Sequence, residues 1–269
     1  MEFYKMHGCG NDFIVIEYDK RVDYSKLAVL LCDRKLGIGA DGLIIVKKKP
    51  LEMIFYNQDG SRASMCGNGI RCFARYVFMK QLVKKSTFDV LTLAGIMRIK
   101  ITSEEPFSCM VEMGRPLYNN QMIHVNDNVD SFGRILTIKD YHLTIYSFYM
   151  GTIHTVIFVE DLRSDVLKMA KSICENSLFK AKTNVNFVHV IDNNTIELKT
   201  YERGVGWTLA CGTGACASVV AAHRLGLTTG EVLVKLVMGE LKIRVDRREN
   251  VFMEGPASIS FIGETKECL

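Results

Sequence analysis

A short cysteine motif occurs twice in the chain, and this duplication constrains the fold more than any other feature. The first copy, CGNGIRC, covers Cys66–Cys72, and the second, CGTGACA, covers Cys211–Ala217. Each copy is a cysteine followed by Gly-polar-Gly and then by residues typical of a helix. Other residues recur in the same order and at nearly the same separation, namely Gly10 with Gly151, Gly95 with Gly239, and Met113 with Met253. Paired positions that keep one order and one separation indicate a duplicated domain.

Within each copy the local pattern changes between strand and helix. Runs of β-branched residues and runs of alternating apolar and polar residues predict the strands Phe13–Glu17, Gly42–Val46, Met97–Ile101, Thr155–Val159 and Leu241–Val245. Helical spacing of apolar residues follows the first cysteine motif, at Ile70, Phe73, Ala74, Val77 and Phe78. After the second motif, Ala215–Leu225 is apolar nearly all round, apart from His223 and Arg224. The sequence therefore predicts an α/β (α+β) fold with two pseudo-symmetric domains, each a mostly antiparallel, barrel-like sheet around a central helix.

Turn-forming residues mark a boundary between the two copies. The segment RPLYNNQ places this boundary near Pro116–Asn120. We expect an N-terminal half, residues 1–117, that carries Cys66, and a C-terminal half, residues 118–255, that carries Cys211. The last segment, residues 256–269, is expected to return to the N-terminal half.

Composition and charge limit the classes of function. Hydrophobic residues make up 48% of the chain and charged residues 24%, and the net charge is +4, all ordinary for a globular protein. The short basic clusters Lys47–Lys49 and Arg247–Arg248 favour a solvated face over a nucleic-acid patch. No apolar stretch is long enough for a membrane span, and the N-terminal residues do not form a signal peptide. With nine cysteines in no framework spacing, we expect a cytoplasmic protein with reduced thiols that binds neither nucleic acid nor membrane.

Two familiar motifs are excluded by their context. Residues Gly37–Gly42 match the dinucleotide fingerprint G-x-G-x-x-G, which needs a strand before it and a helix after it. Here a helix-like segment, Tyr24–Leu36, precedes the match and the strand Leu43–Val46 follows it, so we predict a tight loop and no NAD. The cysteine motifs lack the spacing of structural zinc pairs, and no paired histidines follow them. We therefore expect no metal and no cofactor.

The repeated motif suits proton transfer next to a carboxylate. A helix start presents unpaired N–H groups and the positive end of a dipole, which bind a carboxylate and lower the pKa of a cysteine placed there. Inverting an α-carbon needs a base on one face and an acid on the other, and one thiolate with one thiol supplies both. We therefore predict Cys66 and Cys211 as the acid/base pair of an amino-acid racemase or epimerase. The remaining cysteines that we assign are predicted to be inert core residues, namely Cys32, Cys72, Cys109, Cys174 and Cys216.

Longer segments around these cysteines resemble the diaminopimelate epimerase family. They are KMHGCGNDF at Lys5–Phe13, GIGADG at Gly37–Gly42, YNQDGSRASMCGNGIRCFARY at Tyr56–Tyr76, TNVNFV at Thr183–Val188 and YERGVGWTLACGTGACA at Tyr201–Ala217. The resemblance covers essentially the whole chain. It implies two pseudo-symmetric domains and a mechanism with two thiols and no pyridoxal phosphate.

The resemblance also implies which residues bind the substrate, an amino acid and thus a small molecule. Asn11 and Asn57 would line the pocket. The distal, non-reacting end of the substrate would be held by Asn184, Glu202 and Arg203, since arginine can bind a carboxylate bidentately and glutamate can accept from an ammonium. Backbone donors to the reacting carboxylate would come from Gly67, Asn68, Gly212 and Thr213.

Two positions depart from the family pattern and leave the substrate open. The chain has Gly151-Thr152-Ile153-His154 where the family has Gly-Asn-Pro-His, so Thr152 replaces a carboxamide. It also has Trp207, its only tryptophan, where the family has glutamate. Two substrate classes follow, diaminopimelate and a single-centre amino acid such as histidine, whose imidazole could stack on Trp207 and hydrogen-bond to Glu202.

Two other functions stay open from the sequence. A dehydratase on a similar scaffold would use one thiol without reprotonation, and it would be expected to have lost one of the two cysteines. A non-catalytic thiol redox or binding protein would instead use Cys66 and Cys211 as a disulfide pair. For the assembly, we consider a homodimer.

Overall fold

The computed structural model describes residues 1–119, 121, 123, 125 and 130–266. The chain packs into two compact units, unit 1 with Met1–Glu112 and Glu254–Leu269, and unit 2 with Met113–Met253. The predicted boundaries, after Leu117 and after Gly255, lie a few residues further along the chain. Asn120 of the predicted boundary segment and residues 267–269 of the predicted C-terminal segment lie outside the described residues.

The elements up to Gly114 are β1 (Glu2–Gly8), β2 (Asn11–Glu17), α1 (Tyr24–Cys32), β3 (Gly42–Lys47), β4 (Glu52–Asn57), β5 (Arg62–Ala63), α2 (Gly67–Met79), β6 (Thr87–Thr92), β7 (Gly95–Glu104) and β8 (Phe107–Gly114). The elements that follow are β9 (Phe132–Ile138), β10 (Tyr141–Tyr149), β11 (Ile153–Phe158), a 3₁₀ helix (Asp165–Met169), α3 (Ala170–Cys174), β12 (Asn184–Asp192), β13 (Thr195–Glu202), β14 (Gly206–Thr208), α4 (Gly212–Arg224), β15 (Glu231–Lys235), β16 (Glu240–Val245), β17 (Val251–Pro256) and β18 (Ser258–Glu264). No helix within the described residues is both long and apolar enough to cross a membrane.

The two units follow the same order of elements. In unit 1, β2 and β3 pair in parallel across α1, and β3 forms an antiparallel hairpin with β4. In unit 2, β11 and β12 pair in parallel across α3, and β12 forms the matching hairpin with β13. After the long helix, β6 pairs in parallel with β4, as β15 does with β13. The predicted fold, α/β with two pseudo-symmetric and mostly antiparallel domains, is confirmed.

One long helix packs on the sheet of each unit. In unit 1, α2 packs against β1, β2 and β3, and four of the five predicted apolar positions are buried there, with Phe78 only partly covered. In unit 2, α4 packs against five strands, β11, β12, β13, β15 and β16. Its run of small side chains lets strands approach on every side, so Ala215–Ala222 is buried throughout and only the end with His223 and Arg224 is exposed.

A second apolar core lies on the other face of each sheet, under the crossover helix. In unit 1 it joins Leu27 and Leu31 of α1 to Ile14 and Leu43 of the strands. The equivalent cluster of unit 2 joins Ile173 of α3 to strand residues including Ile157, Val185 and Phe187. Because both faces are covered, β2 and β3 are continuous apolar runs rather than alternating ones.

Residues 37–41 lie in the loop between α1 and β3, and Gly42 is the first residue of β3. The helix ends at Cys32, before the predicted end at Leu36, because the N–H groups of Gly37, Ile38 and Gly39 turn back to the carbonyls of Asp33 and Leu31. The predicted order of helix, tight loop and strand is confirmed.

Candidate active site

Cys66 caps the N-terminus of α2, so the helix start predicted after this cysteine is confirmed. Its backbone is extended, with φ −132° and ψ 120°. The Sγ atom accepts a hydrogen bond from the N–H of Gly69 at 3.4 Å. This N–H belongs to the first turn, which has no intrahelical acceptor for it, and the positive end of the helix dipole lies at the same place. Both effects favour negative charge on the sulfur.

Cys211 caps α4 in the same way. Its backbone has φ −126° and ψ 108°, and its Sγ accepts from the N–H of Gly214 at 3.4 Å. The sulfur of Cys211 also has a hydroxyl beside it, because the Oγ1 atom of Thr213 lies 3.5 Å from Sγ. The side chain is buried, with Cys211 only 6% exposed. Each unit thus carries one cysteine of the same local geometry at the start of its long helix.

The structure brings Asn11 and Asn68 together beside the start of α2. The Nδ2 atom of Asn68 donates to Oδ1 of Asn11 at 2.6 Å, and Nδ2 of Asn11 donates to Asp41 at 3.0 Å. Asn57, at the end of β4, instead donates to the hydroxyl of Ser61 at 2.9 Å within the β4–β5 turn. Gly67 is buried as the first residue of α2.

A charged network that the sequence interpretation missed lies beside Asn11. Arg34 binds Asp12 and Asp41, each at 2.7 Å, and Lys5 binds Asp12 at 2.6 Å and the carbonyl of Gly39. Burial on its own would raise the pKa of Asp12, but hydrogen bonds from Arg34 and Lys5 outweigh it and hold this pKa at about 2. The only signal in the sequence was that Lys5, Asp12 and Asp41 lie in segments shared with the family.

The residues predicted to hold the distal end of the substrate lie together in unit 2. The backbone N–H of Arg203 donates to Oδ1 of Asn184 at 2.9 Å. Its guanidinium donates to Oγ1 of Thr152 and to the carbonyl of Ala181, each at 2.9 Å. Glu202 accepts a hydrogen bond from the hydroxyl of Thr208 at 2.7 Å. Thr152 therefore holds Arg203 in place, at the position where the family pattern has asparagine.

Trp207 lies on β14 with one face packed and the rest in contact with solvent. Its ring lies 5.5 Å from that of Tyr201, edge to face, and 5.9 Å from that of Phe187. The residue is 49% exposed. In the register of β13 and β14, Trp207 is opposite Tyr201 and Gly206 is opposite Glu202. Because paired residues share a face of the sheet and successive residues alternate, the indole lies on the face of Tyr201 and Phe187, whereas the side chain of Glu202 is on the opposite face.

A buried histidine that the sequence interpretation also missed is connected to Cys211 through Thr213. His154 is fully buried, and its Nδ1 lies 3.1 Å from Nδ2 of Asn186. Its Nε2 lies 3.0 Å from the hydroxyl of Thr213, the residue that contacts Cys211. Burial, helped by the charge of Arg203, lowers the pKa of His154 to about 3, so the imidazole is neutral.

The cysteines predicted to be core residues are buried. Burial raises the pKa of Cys32 and of Cys109 to about 12 and also raises that of Cys72 and Cys174. Cys216 is fully buried in α4. Within the described ranges no group of three or more histidine, cysteine, aspartate or glutamate side chains is arranged to hold a metal ion.

Comparison with known proteins gives the class of this chain. The family model for diaminopimelate epimerase matches residues 3–118 and 146–260. The chain is 42% identical over 267 residues to the diaminopimelate epimerase of Alkaliphilus metalliredigens, covering 96% of this chain and 94% of the relative. It is 45% identical over 267 residues to that of Clostridium perfringens, covering 96% and 97%.

The fold is also that of a more distant solved structure. A probable proline racemase from Agrobacterium radiobacter superimposes with a TM-score of 0.70 at 11% identity, covering 98% of this chain and 92% of that chain. The family model and the two relatives place the protein among the isomerases that act as epimerases or racemases. The chain belongs to the diaminopimelate epimerase family, as the sequence resemblance predicts.

Proposed function

We propose that this isomerase inverts the α-carbon of an amino acid without a cofactor, using Cys66 and Cys211 as its acid and base. The observation that carries the proposal is the duplicated helix cap. Each cysteine is the N-cap of the long helix of its unit, and each sulfur accepts an N–H from the glycine three residues later. A thiolate in such a place is stabilised without a metal or a prosthetic group.

In the proposed reaction, one sulfur is a thiolate and the other a thiol. The thiolate takes the α-proton, and the electron pair left on carbon spreads into the α-carboxylate. The thiol then delivers its proton to the opposite face, so that the two sulfurs exchange protonation states. Backbone N–H groups of Gly67, Asn68, Gly212 and Thr213, at the two helix starts, stabilise the charge on the carboxylate.

Diaminopimelate is the substrate that we propose first. The two curated relatives compared above are named for it, and its second amino-acid end needs a cation and an anion as partners. Arg203 and Glu202 supply these at the end of β13. A guanidinium has five N–H groups, and the bonds of Arg203 to Thr152 and Ala181 use two of them, so enough donors are left for a bidentate bond to a carboxylate.

The two-thiol proposal is tested by exchange and inversion in deuterated water. The wild type is expected to incorporate deuterium at the α-carbon of LL-diaminopimelate and to invert it, read by mass spectrometry and chiral separation. Cys66→Ala and Cys211→Ala are each expected to abolish inversion, because one face loses its acid or base. The matched controls Cys109→Ala and Cys174→Ala remove buried thiols, one from each unit, and are expected to keep turnover. Near-normal inversion by either Cys66→Ala or Cys211→Ala contradicts the proposal.

A second candidate function is racemisation of histidine, which the sequence leaves open because Thr152 and Trp207 depart from the family pattern. Trp207 itself projects from the face of the sheet opposite to Glu202, so stacking on its indole does not support this candidate. Glu202 could accept an imidazole N–H as readily as an ammonium. Thr152 also has no N–H donors with which to replace those of asparagine.

The two substrates are separated by comparing LL-diaminopimelate and L-histidine on the same enzyme. The double variant Trp207→Glu with Thr152→Asn restores the family pattern, and if histidine is the substrate this variant is expected to lose histidine turnover. Rapid diaminopimelate turnover by the wild type, with no racemisation of histidine or other aromatic amino acids, rejects the second candidate.

A further inference from the structure

The two units differ in what lies beneath the first turn of their long helix. Their strands have matching register, because Ile44 is opposite Phe55 in unit 1 and Asn186 is opposite Thr200 in unit 2. The first strand of each parallel pair matches in the same way. The equivalent positions are Phe13 and His154, Ile44 and Asn186, and Phe55 and Thr200.

In unit 1 these positions are apolar. The rings of Phe13 and Phe55 lie edge to face, 5.9 Å apart. The Cδ1 atom of Ile44 is the nearest atom that a Cβ on Gly69 would meet, at 3.2 Å. The three positions beneath the start of α2 are therefore filled by apolar side chains.

In unit 2 the same positions carry polar groups that are buried and bonded to one another. Asn186 and His154 are both fully buried. Burying a polar group is costly unless it is hydrogen-bonded, and the apolar set of unit 1 shows that the fold does not require polar groups at these positions. The polar set is therefore specific to the unit that carries Cys211.

The contacts of Asn186 determine which atoms of this polar set donate hydrogen bonds and which accept them. Its Nδ2 lies 3.4 Å from the carbonyl of Thr155 and 3.1 Å from Nδ1 of His154. Because a backbone carbonyl can only accept, the amide nitrogen must face it, and the same NH₂ group donates to Nδ1. The amide oxygen accepts from the hydroxyl of Thr200 at 3.0 Å, which agrees with this orientation. In the neutral imidazole, Nε2 then carries the hydrogen.

The same order of donor and acceptor extends from His154 to the sulfur of Cys211. The Nε2–H group of His154 donates to Oγ1 of Thr213 at 3.0 Å, which leaves the hydroxyl hydrogen of Thr213 to point at Cys211, 3.5 Å away. Together with the N–H of Gly214, this provides two donors to one sulfur. Burial keeps the ring of His154 neutral, and the charge of Arg203 adds to this effect.

We infer that Asn186 and His154 are positioning residues that commit the hydroxyl of Thr213 to donate to Cys211, favouring its thiolate. The role of this series of hydrogen bonds in catalysis rests on the proposed function, in which Cys211 is an acid/base group. The hydrogen bonding itself does not depend on turnover, so it can be tested without substrate.

The test measures how fast iodoacetamide alkylates Cys211 in the full-length protein as the pH is varied, followed by peptide mass mapping. Thr213→Val removes the hydroxyl, whereas Thr213→Ser keeps it. Asn186→Asp replaces the donor with an acceptor, so that His154 is expected to carry its hydrogen on Nδ1 and Thr213 to donate to Nε2 instead of to sulfur. Cys66, in the same digest, is the matched control.

Loss of a hydrogen bond to a charged group changes an equilibrium by about tenfold or more. We therefore expect the alkylation midpoint of Cys211 to rise by about one pH unit in Thr213→Val and in Asn186→Asp. The midpoint should stay at the wild-type value in Thr213→Ser, and that of Cys66 should not move in any variant.

Unchanged midpoints for Cys211 in Thr213→Val, an equal shift of Cys66, or a Thr213→Ser variant that behaves like Thr213→Val would each overturn the inference. If Asn186→Asp does not fold, the valine and serine variants still decide it. If the variants show the expected shifts in the Cys211 midpoint but the wild type exchanges the α-hydrogen of no amino acid, the proposed function is rejected. The inferred hydrogen bonds from Asn186 through His154 and Thr213 to Cys211 are then still supported.

Discussion

At the scale of the residue, the charge of Asp12 depends on two cations that reach it from separate segments. Arg34 comes from the loop after α1, and Lys5 comes from β1. Their hydrogen bonds keep the carboxylate ionised although it is mostly buried, with its side chain 20% exposed. The same network includes Asp41, which accepts from Asn11, so it also holds a predicted substrate-binding side chain.

This network predicts a pH-dependent stability. The pKa of Asp12 is about 2 in the folded protein and 3.8 in its ordinary state, so the carboxylate stabilises the folded protein above pH about 4, and this contribution is lost as the pH falls through about 2. Asp12→Asn is expected to reduce the free energy of unfolding by about 2 kcal/mol at pH 7 and by almost nothing near pH 2. Calorimetric Tm values of wild type and variant across this range measure the difference.

The control for this prediction is Asp89→Asn, which removes an exposed pair with Arg98. Its Tm difference is expected to be small at every pH, since surface pairs contribute little. A difference between wild type and Asp12→Asn that stays constant from pH 7 to pH 2 would show that the charge of Asp12 is not the cause.

At the scale of the element, the starts of α2 and α4 look alike in backbone but differ in what approaches them. A Cβ on Gly214 would lie closer than 3.0 Å to Oδ1 of Asn186, a distance that real Cβ atoms essentially never show. At Gly69 the nearest atom, at 3.2 Å, is the end of the side chain of Ile44, which can move. The second glycine of the motif is thus needed most strictly in unit 2.

We therefore expect Gly214→Ala to be more destabilising than Gly69→Ala. Overpacking against the bonded amide of Asn186 should cost about 1–3 kcal/mol. For Gly69→Ala, the small shift of Ile44 is offset by the better helix propensity of alanine, about 1 kcal/mol, so its stability should change little. Thermal unfolding of both variants measures this, and Trp207, the only tryptophan, reports on unit 2 by fluorescence. Equal losses in the two variants would contradict the difference between the helix starts.

At the scale of the whole molecule, unit 1 is made from both ends of the chain. Strand β18 pairs with β1 from Glu2 to His7, and the ring of Phe261 lies edge to face on that of Phe3, 6.0 Å away. Unit 1 therefore cannot complete its sheet until the last strand has been added, whereas the strands of unit 2 come from one continuous segment.

Ending the chain after Ala257 removes β18 and is expected to destabilise unit 1. The edge of β1 loses its partner, and the buried Phe3 loses its cover. Amide hydrogen exchange in β1 and β2 should accelerate by about tenfold or more, the amount expected for a loss of about 1.4 kcal/mol or more, with β12 and β13 as the comparison within the same sample. A chain that ends after Glu264 keeps β18 and is the matched control. Protection of β1 that is the same in both truncated forms would show that the last strand does not stabilise unit 1.

Part of this architecture was determined by the sequence itself. The two Cys-Gly-polar-Gly motifs predict both helix starts, because capping depends on a few neighbouring residues. The β-branched runs predict β2, β3 and β11 for the same local reason, and the repetition of these signals predicts two domains of one design. Segments shared with the family locate Asn11, Asn184 and Arg203 in the chain, although not their contacts.

Only the tertiary structure decided which groups meet. The bonds of His154 to Asn186 and Thr213 join three elements, β11, β12 and α4, and depend on the register of strands that pair across a crossover helix. The bond from Arg203 to Thr152 depends on the same pairing. Local sequence has no signal for register between distant segments, since a shift of one residue turns every side chain to the opposite face of the sheet. For this reason the sequence singles out the two cysteines, while the groups that are hydrogen-bonded beside Cys211 are found only in the folded chain.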